Sequence, residues 1–347
     1  MQKAVIFILL VYLGAKAYCF DTELNVLSYT ATIEPDIQNR YLKGSVLIRY
    51  QLPLNEDFLV LNSGNLQIDS IKGIHTGKFT KKGDKLTVDL NDRKELINDI
   101  IIYYHGYPTS GLFFDQANDQ SYTIYSTNQW MVCNHKPGDK AKISLSILIS
   151  KEQECIASGQ LIRKEERDGK HLFQWNQNFD SPTYTYGFVI GNFQKFEYSD
   201  IKLSINSYAK SFSSYELERI FTETSAMISF FEEKSGIKYD QPSYSQILIG
   251  NHYQEMSGFS VLKENYGNMV LADSTETNLI SHELAHQWWG NRITCKNWNH
   301  FWLNEAIATY MSAAYNEYRF GRKKYQSDID AYFRVYEDIK NITYNEK

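Results

Sequence analysis

The spacing of hydrophobic residues changes near Ser207, and this change constrains the fold more than any other feature of the sequence. Before it, apolar and polar residues alternate, as in KLTVDL (85–90) and KISLSILI (142–149). Strict alternation is typical of half-buried strands, because successive side chains point to opposite faces of a sheet. After it, apolar residues follow the longer period of helices. The sequence therefore predicts two domains, a β domain over residues 20–205 and an α+β domain over residues 206–347.

The second domain is predicted to combine helices with short strands. Its first helix is expected over residues 213–236, because Ser213 is a typical first residue and Gly236 a typical last one. Two strands and three further helices are predicted to follow, at 246–250, 258–262, 273–290, about 303–320 and about 322–340. In the helix over 273–290, Asp273 and Glu276 are the expected capping box.

The first 19 residues have the composition of a secretory signal peptide. Lys3 precedes an apolar run from Ala4 to Ala15, and the small residues around Ala17 suit signal peptidase. The run is too short to span a bilayer comfortably. We therefore expect a signal peptide at 1–19, a secreted or periplasmic protein after cleavage, and no stable membrane span. A retained anchor is less favoured, as is a lipoprotein linked through Cys19, which follows a bulky tyrosine.

Charge and cysteine content limit the partners and cross-links of the chain. The net charge is −5, from 36 basic and 41 acidic residues, and the sequence has no basic run. Nucleic acid is therefore excluded as an expected partner. Export would permit disulfides, and Cys133 and Cys155 either pair with each other or remain separate buried thiols.

The predicted central helix carries two histidines, His282 and His286, that are four residues apart. This is about one helical turn, so both imidazoles leave the same face and can reach one ion. Glu305, on the following helix, can supply a third ligand. Two imidazoles and a carboxylate leave a fourth position for water, which is the pattern of catalytic zinc. The sequence therefore predicts one Zn²⁺ per chain, bound by His282, His286 and Glu305.

Glu283 lies one residue after the first histidine, so it borders the ion without being a natural ligand. A carboxylate in this position can take the proton from a water that zinc has acidified. We therefore predict that Glu283 is the general base of a hydrolase. The other histidines, including His252 and His300, are not expected to be ligands.

Around these four residues the sequence resembles the M1 family of zinc aminopeptidases, which are gluzincins. HELAHQWWGN (282–291) and WLNEAIATY (302–310) closely follow the signatures of that family, with Ala306 where glycine is more frequent. WMVCNHKPGDKAKISLSI (130–147) and YTYGFVIGNF (184–193) are similar to segments of its N-terminal domain. The resemblance implies a multi-domain chain: a saddle-like N-terminal β-sheet domain, then a thermolysin-like and mostly helical catalytic domain.

Three features of the family differ here. HYQEMSG (252–258) stands where the family has its Gly-x-Met-Glu-Asn motif and keeps only Glu255, which the resemblance implies as the residue that binds the substrate amine. On a looser alignment, Gln129 is considered as a second contact for the same amine. The tyrosine that stabilises the oxyanion in the family, the remaining catalytic helices and the C-terminal helical domain are expected beyond Lys347. Residues 1–347 alone are therefore expected to be weakly active at best.

The leading functional prediction is a secreted zinc aminopeptidase, or the N-terminal portion of one, that removes N-terminal residues from peptide substrates. A zinc endopeptidase is the first alternative, because most of the amine-binding motif is replaced. A non-catalytic secreted binding module derived from an M1 peptidase is the second. Glu283 argues against this last alternative, since loss of catalysis usually removes the general base first.

Overall fold

The computed structural model describes residues 23–199 and 203–345. The signal peptide predicted at residues 1–19 lies outside the described residues, so export stays a prediction. Over the described ranges, a strand-rich region is followed by a region of strands and helices. The predicted order, β and then α+β, is confirmed.

Within the described ranges, the β-rich domain consists of strands β1 (Asn25–Asp36), β2 (Tyr41–Gln51), β3 (Phe58–Asn62), β4 (Gln67–Lys72), β5 (Thr76–Lys82), β6 (Lys85–Leu90), β7 (Ile97–Gly106), β8 (Leu112–Asp115), β9 (Gln120–Thr123), β10 (Lys140–Ile149), β11 (Glu154–Ala157), β12 (Gln160–Arg167), β13 (Lys170–Pro182) and β14 (Phe188–Gly191). They form three sheets, with the strand orders β12-β13-β10-β1-β2-β7-β4, β11-β14-β9-β8 and β3-β6-β5. The strands predicted at 85–90 and 142–149 are β6 and β10.

Strand β10 shows how the alternating pattern builds the largest sheet. Ile143, Leu145 and Ile147 are buried, whereas the serines between them are partly exposed. The strand pairs in parallel with β1 and antiparallel with β13. A shift of one residue would turn the apolar side chains towards solvent, so the buried face fixes the register. In this register Pro182, at the end of β13, pairs with Lys140.

Hairpin turns join neighbouring strands of this domain. Asp168 and Gly169 join β12 to β13 with positive φ angles of 51° and 77°. Two consecutive positive φ angles are typical of the type I′ turn, whose twist matches that of the paired strands. Gly83, with φ of 55°, similarly follows β5. These turns connect strands that are adjacent in the sequence.

Over the described ranges, the second region contains strands β15 (Gln194–Ser199), β16 (Ser204–Ala209), β17 (Ser243–Leu248), β18 (Gln254–Met256) and β19 (Phe259–Leu262) and helices α1 (Ser214–Ile220), α2 (Thr224–Ser235), α3 (Tyr266–Ala272), α4 (Asn278–Ala285), α5 (Trp302–Phe320) and α6 (Arg322–Asn345). Its sheet has the order β15-β16-β17-β19-β18, with β18 at one edge. The predicted boundary between residues 205 and 206 falls within β16, and the division into 20–205 and 206–347 stays a prediction.

The helix predicted over 213–236 is interrupted. It begins as expected, since Ser213 Oγ accepts a hydrogen bond from the Glu216 backbone N–H at 3.3 Å in a capping box. Residues 221–223 then separate α1 from α2. There the Glu223 carboxylate accepts hydrogen bonds from Tyr315 Oη at 2.6 Å and Arg319 Nε at 2.7 Å, both on α5. Contacts with a distant helix therefore accompany a break that local helix propensity does not predict.

The helix predicted over 273–290 is shorter than expected, and its predicted capping box is wrong. The Asp273 carboxylate accepts hydrogen bonds from Thr275 N at 2.9 Å and Thr275 Oγ1 at 2.8 Å. This local turn competes with helix capping, so α4 begins only at Asn278. After α4 the chain turns, and Asn291 N donates to His286 O at 2.9 Å. The first histidine therefore lies in the last turn of α4 and the second just after it.

The other predicted elements correspond to observed ones. The strands expected at 246–250 and 258–262 are β17 and β19, and the helices expected at 303–320 and 322–340 are α5 and α6. Gly321 separates these two helices with φ of 87°, a left-handed conformation that glycine adopts readily.

No helix in the described ranges is long and apolar enough to cross a membrane. In the same part of the chain, Cys133, Cys155 and Cys295 are buried free thiols. Of the two alternatives for Cys133 and Cys155, the structure therefore has the unpaired one.

The two regions meet through buried hydrogen bonds beside α4. Tyr184, which follows β13, donates its hydroxyl hydrogen to Gly290 O at 3.2 Å and accepts a hydrogen bond from Asn304 Nδ2 at 3.0 Å. Ser257 N donates to Thr185 O at 2.9 Å. The β-rich domain therefore contacts the segments just after α4, at the start of α5 and after β18.

Candidate functional site

His282 and His286 bring their Nε2 atoms to within 3.1 Å of each other. The first projects from the last turn of α4, and the second follows α4 with helical backbone angles. They are thus about one turn apart, as their spacing predicts. The His286 side chain is 1% exposed and the His282 side chain 20% exposed. His286 is therefore the buried member of the pair, and the site is accessible to solvent on the side of His282.

Both imidazoles are oriented through their other ring nitrogen. His286 Nδ1 lies 3.0 Å from Trp289 O, and because a carbonyl can only accept, Nδ1 is the donor. A neutral ring then presents the Nε2 lone pair to the site. His282 Nδ1 lies 3.4 Å from the Thr309 hydroxyl. Such contacts commonly orient metal-binding histidines. Thr309 is one turn after Glu305 on α5, a spacing from which the sequence could have indicated it.

Glu305 directs a carboxylate oxygen to the same point. Its Oε2 is 3.4 Å from His282 Nε2 and 3.7 Å from His286 Nε2. Burial opposes ionisation of Glu305, but the two neighbouring histidines outweigh it and lower the carboxyl pKa to about 2. Tetrahedral ligands at about 2.0–2.2 Å from zinc are roughly 3.4 Å from one another. The spacing of these three atoms therefore fits a single zinc ion.

Two more carboxylates are buried beside His286. Glu255 is 0% and Glu283 is 4% exposed. One oxygen from each lies with a His286 nitrogen in a cluster whose atoms are all within 4.8 Å of one another. Among the residues that the structure describes, Glu255 Oε1, Glu283 Oε2 and Glu305 Oε1 have no hydrogen-bond partner. Buried polar atoms without partners are costly, so these oxygens suit a ligand that the described chain does not supply.

Burial and mutual repulsion govern the protonation of the cluster. Burial is the main cause that raises the pKa of Glu283 well above its usual range, with the charge of Glu255 adding to it. Burial likewise raises the pKa of Glu255 to about 7, and the charge of Glu305 adds to it. For His282 burial prevails and lowers the pKa.

The site as a whole favours a cation. Burial opposes protonation of His286, but the charges of Glu255, Glu305 and Glu283 raise its pKa to about 10. A proton on this imidazole and a zinc ion exclude each other, because zinc binds the neutral ring. Either the proton or the zinc ion would neutralise part of the negative charge of Glu255, Glu283 and Glu305.

The position of Glu255 is fixed by hydrogen bonds to the segment after α4. Gln287 Oε1 accepts from Gly258 N at 3.1 Å, and Gln287 Nε2 donates to Met256 O at 2.8 Å. Gly258 has φ of 87°, which the tight turn between β18 and β19 requires. The edge strand β18 is therefore held against the segment that carries His286.

Tyr125 and Gln254 also belong to the site, and sequence reasoning missed both. Tyr125 follows β9 in the β-rich domain, and its backbone N–H donates to Gln254 Oε1 at 2.9 Å. The charge of Glu255, followed by burial and the charges of Glu283 and Glu305, raises the pKa of the Tyr125 phenol well above its usual value. No motif or spacing in the sequence marks either residue.

Gln129 and His252, which the sequence analysis also considered, contact residues other than the three proposed zinc ligands. Gln129, considered as a second amine contact, packs against Gly64, where an added Cβ would lie 2.6 Å from Gln129 Cδ. His252, not expected to be a ligand, has its Nδ1 2.8 Å from Tyr122 Oη and its ring 4.3 Å from that of Phe113. The described metal-binding clusters include neither residue.

Two family models match the chain. The Peptidase M1 N-terminal domain matches residues 25–185, and the Peptidase family M1 domain matches residues 219–343. Both belong to one family, and together they cover most of the chain. The second match contains both histidines and Glu305.

Two of the curated relatives similar to this chain are aminopeptidases by name. Aminopeptidase 2 of Candida albicans is 24% identical over 84% of this chain and 34% of its own length. Probable aminopeptidase 1 of Saccharolobus solfataricus is 29% identical over 74% of this chain and 35% of its own length. The chain thus spans about a third of the length of these relatives.

Solved structures share the fold. An M1 zinc metallopeptidase from Deinococcus radiodurans, in a mutant form bound to a Tyr-Ser-Ala substrate, superposes with a TM-score of 0.76 at 19% identity, covering 90% of this chain and 75% of that one. A two-domain M1 zinc metallopeptidase bound to L-tryptophan gives a TM-score of 0.77 at 20% identity, with the same coverage of both chains. At these identities the similarity shows the two-domain fold alone.

Proposed function

The chain belongs to peptidase family M1, and on this premise we propose that it is a zinc aminopeptidase, or the N-terminal portion of one, that removes N-terminal residues from peptides. One observation carries the proposal. Two imidazole nitrogens and a carboxylate oxygen converge within 3.1–3.7 Å, beside buried carboxylates whose oxygens lack partners among the described residues.

His282, His286 and Glu305 are the residues that would hold one zinc ion. The ligand spacing, the donor set of two nitrogens and one oxygen, and the negative charge of the site all suit it. When bound, zinc supplies Lewis acidity to a peptide carbonyl and makes a water more acidic. The Trp289 carbonyl and the Thr309 hydroxyl would keep the two rings in place while the ion binds.

Glu283 is the proposed general base. Its Oε2 is buried and has no partner in the described part of the chain, so it is free to accept a proton from the attacking water. Burial raises its pKa well above the usual range, which makes the carboxylate a stronger base. The same group can then return the proton to the leaving amine.

Glu255 is the proposed anchor for the amino terminus of the substrate. An ammonium group that enters a buried site needs a carboxylate to offset its lost hydration. Glu255 is fully buried, and its Oε1 lacks a partner among the described residues. One zinc ion and one ammonium group would bring three positive charges to the three carboxylates Glu255, Glu283 and Glu305.

The proposal is tested with matched peptides on the zinc-loaded protein. A peptide with a free amine and its N-acetylated form are incubated with the protein, and the products are identified by mass spectrometry. Release of the first residue from the free peptide alone supports an aminopeptidase. Equal internal cleavage of both peptides would indicate the endopeptidase alternative, whereas zinc and peptide binding without even the weak cleavage expected of residues 1–347 would indicate a binding module.

Glu255→Ala separates amine recognition from catalysis in the same assay. Loss of the anchor should raise the KM of the free peptide, with less effect on kcat, because the contact is made before the reaction. Export through the signal peptide at 1–19 is part of the proposal and is tested by sequencing the amino terminus of the protein secreted by its own cells.

A further inference from the structure

The segment that joins two of the proposed zinc ligands packs against the β-rich domain. This segment, residues 287–304, runs from His286 to Glu305 and is hereafter the connector. It is mostly irregular, with a short 3-10 turn at Trp298–His300 before α5 begins. The hydrogen bonds of a helix or sheet do not fix most of such a segment, so its conformation depends on its other contacts.

Tyr184 of the β-rich domain contacts both ends of the connector with one atom. Its hydroxyl donates to Gly290 O at 3.2 Å and accepts a hydrogen bond from Asn304 Nδ2 at 3.0 Å. Gly290 is a close neighbour of the His286 ring, and Asn304 directly precedes Glu305. The tyrosine is 0% exposed, so water does not compete for these hydrogen bonds. One phenol oxygen therefore links the segment after the second histidine to the segment that carries the carboxylate.

The β-rich domain makes further hydrogen bonds to the connector between these ends. Lys140 Nζ donates to Asn291 O at 3.1 Å and to Arg292 O at 2.8 Å. Trp298 Nε1, in the connector, donates to His135 O at 2.9 Å. The β-rich domain thus contacts the beginning, the middle and the end of the connector.

We infer that Tyr184 is a positioning residue for zinc binding, because it holds both ends of the connector and so keeps Glu305 Oε2 within 3.7 Å of His286 Nε2. This rests on the zinc ligands of the proposed function. The β-rich domain then contributes to metal affinity without supplying a ligand. By linkage, bound zinc in turn strengthens the contact between the two regions.

A phenol hydroxyl suits the two groups that it contacts. The Gly290 carbonyl can only accept a hydrogen bond, whereas the Asn304 amide donates one, so their common partner must do both. Asn304 Oδ1 accepts from Cys295 N at 3.2 Å, which turns Nδ2 towards the tyrosine. Removal of the hydroxyl would leave two buried polar groups unpaired, and both ends of the connector would shift to find other partners. A shift at either end separates the ligands, which zinc requires at about 2.0–2.2 Å simultaneously.

The test is the zinc affinity of Tyr184→Phe in the full chain, measured by competition with a chelator of known affinity. Affinity should fall about ten-fold, the lower end of the scale for groups that orient metal ligands. Co²⁺ bound in place of zinc should show a changed visible spectrum, because its absorption depends on ligand geometry. Tyr186→Phe is the matched control, since Tyr186 is also buried but donates to Ala141 O and Ser181 O within the β-rich domain. It should match the unchanged protein in zinc affinity and in Co²⁺ spectrum.

Lys140→Met tests the connector at another contact and replaces Tyr184→Phe if that variant does not fold. Zinc binding should again weaken, because the carbonyls of Asn291 and Arg292 lose their partner. Loss of a positive charge alone would instead favour binding of a cation. Weaker binding therefore reports the conformation of the connector, whereas unchanged or tighter binding would overturn the inference.

The outcomes separate this inference from the proposed function. If the unchanged chain binds no zinc, the ligand assignment is wrong and the inference is overturned with it. If the unchanged chain binds zinc and folded Tyr184→Phe has the same zinc affinity and Co²⁺ spectrum, only the inference is overturned. A loss of stability in urea without a change in either readout would then assign the tyrosine to packing. Equal loss of affinity in Tyr184→Phe and Tyr186→Phe would also overturn the inference, because the effect would not be specific to the connector.

Discussion

Gly290 lies against the imidazole of His286, so closely that a Cβ atom at position 290 would be 2.9 Å from Nδ1. The backbone φ of Gly290 is 154°, a conformation that other residues rarely adopt. The glycine therefore leaves room for the ring in the orientation in which Nδ1 donates to Trp289 O. The orientation of the His286 ring, a proposed zinc ligand, thus depends on the absence of a side chain at Gly290.

Gly290→Ala should reduce zinc affinity by about 10–100-fold, the scale observed when groups that orient metal ligands are lost. The methyl group would push the ring away from its partner and tilt Nε2. Competition with a chelator of known affinity measures the effect. Gly169→Ala is a suitable control, because Gly169 also has positive φ but has open space around it. Unchanged zinc affinity in Gly290→Ala would show that the ring adapts freely.

Removal of a ligand should abolish zinc binding at stoichiometric levels. The purified chain is expected to contain one zinc ion, whereas His286→Ala and Glu305→Gln should contain little. His252→Ala removes a histidine that makes other contacts and should retain the metal. Elemental analysis by mass spectrometry gives the stoichiometry directly. Equal zinc in His286→Ala and the unchanged chain would reject the ligand assignment.

Glu283→Gln should lower the rate of peptide hydrolysis by at least about 10²-fold, the usual scale for a general base. The amide has nearly the same shape but cannot accept the proton. Zinc content should remain that of the unchanged protein, because Glu283 is not among the three proposed ligands. Wild-type turnover by the variant, with zinc content verified, would transfer the role of base to another residue.

Protonation of His135 should destabilise the fold at acidic pH. Burial lowers the pKa of His135 to about 4 from its usual 6.5, and its Nδ1 has no hydrogen-bond partner in the described chain. Above pH 6.5 the ring is neutral in both states and has no effect. Between pH 6.5 and 4 the unfolded chain binds a proton that the folded chain does not, so the free energy of unfolding falls by roughly 1.4 kcal/mol per pH unit.

His135→Phe should remove this contribution while preserving an aromatic ring against Trp298, whose centroid is 5.0 Å away. Urea unfolding of both proteins at pH 7 and pH 4.5 measures it. The variant should gain stability relative to the unchanged chain as the pH falls. A difference that stays constant between the two pH values would show that His135 binds its proton equally in both states.

The elements that the sequence predicts well are those whose signal is local. The alternation of Ile143, Leu145 and Ile147 identifies β10, and Gly321 marks the division between α5 and α6. Likewise, the spacing of His282 and His286 requires only one helical turn to bring two Nε2 atoms within 3.1 Å. Each of these inferences concerns neighbours along the chain, where geometry follows from the period of the backbone.

The elements that the sequence predicts poorly depend on distant contacts. The break after α1 coincides with the contact between Glu223 and Arg319, which are far apart in sequence. Helix α4 starts late because the Asp273 carboxylate accepts a hydrogen bond from Thr275 N and does not form the capping box with Glu276. The residue types alone are compatible with either pattern.

Tyr125 is the clearest example of a site residue that the sequence does not reveal. It contacts the site through folding of the β-rich domain against the second region, and its left-handed backbone is invisible in the residue type. The looser alignment suggested Gln129, four residues further along the chain, as a second amine contact. A resemblance in sequence can thus indicate which segment contacts a site without identifying which of its side chains makes the contact.

The hydrogen bond from Tyr125 to Gln254 joins residues 129 positions apart, and the proposed zinc ligand Glu305 lies later still. Domains tend to fold in order as the ribosome releases them, and contacts over long separations form late. During synthesis, the β-rich domain can therefore fold before either proposed metal-binding helix has emerged. The proposed zinc ligands can come together only after most of this segment has been synthesised.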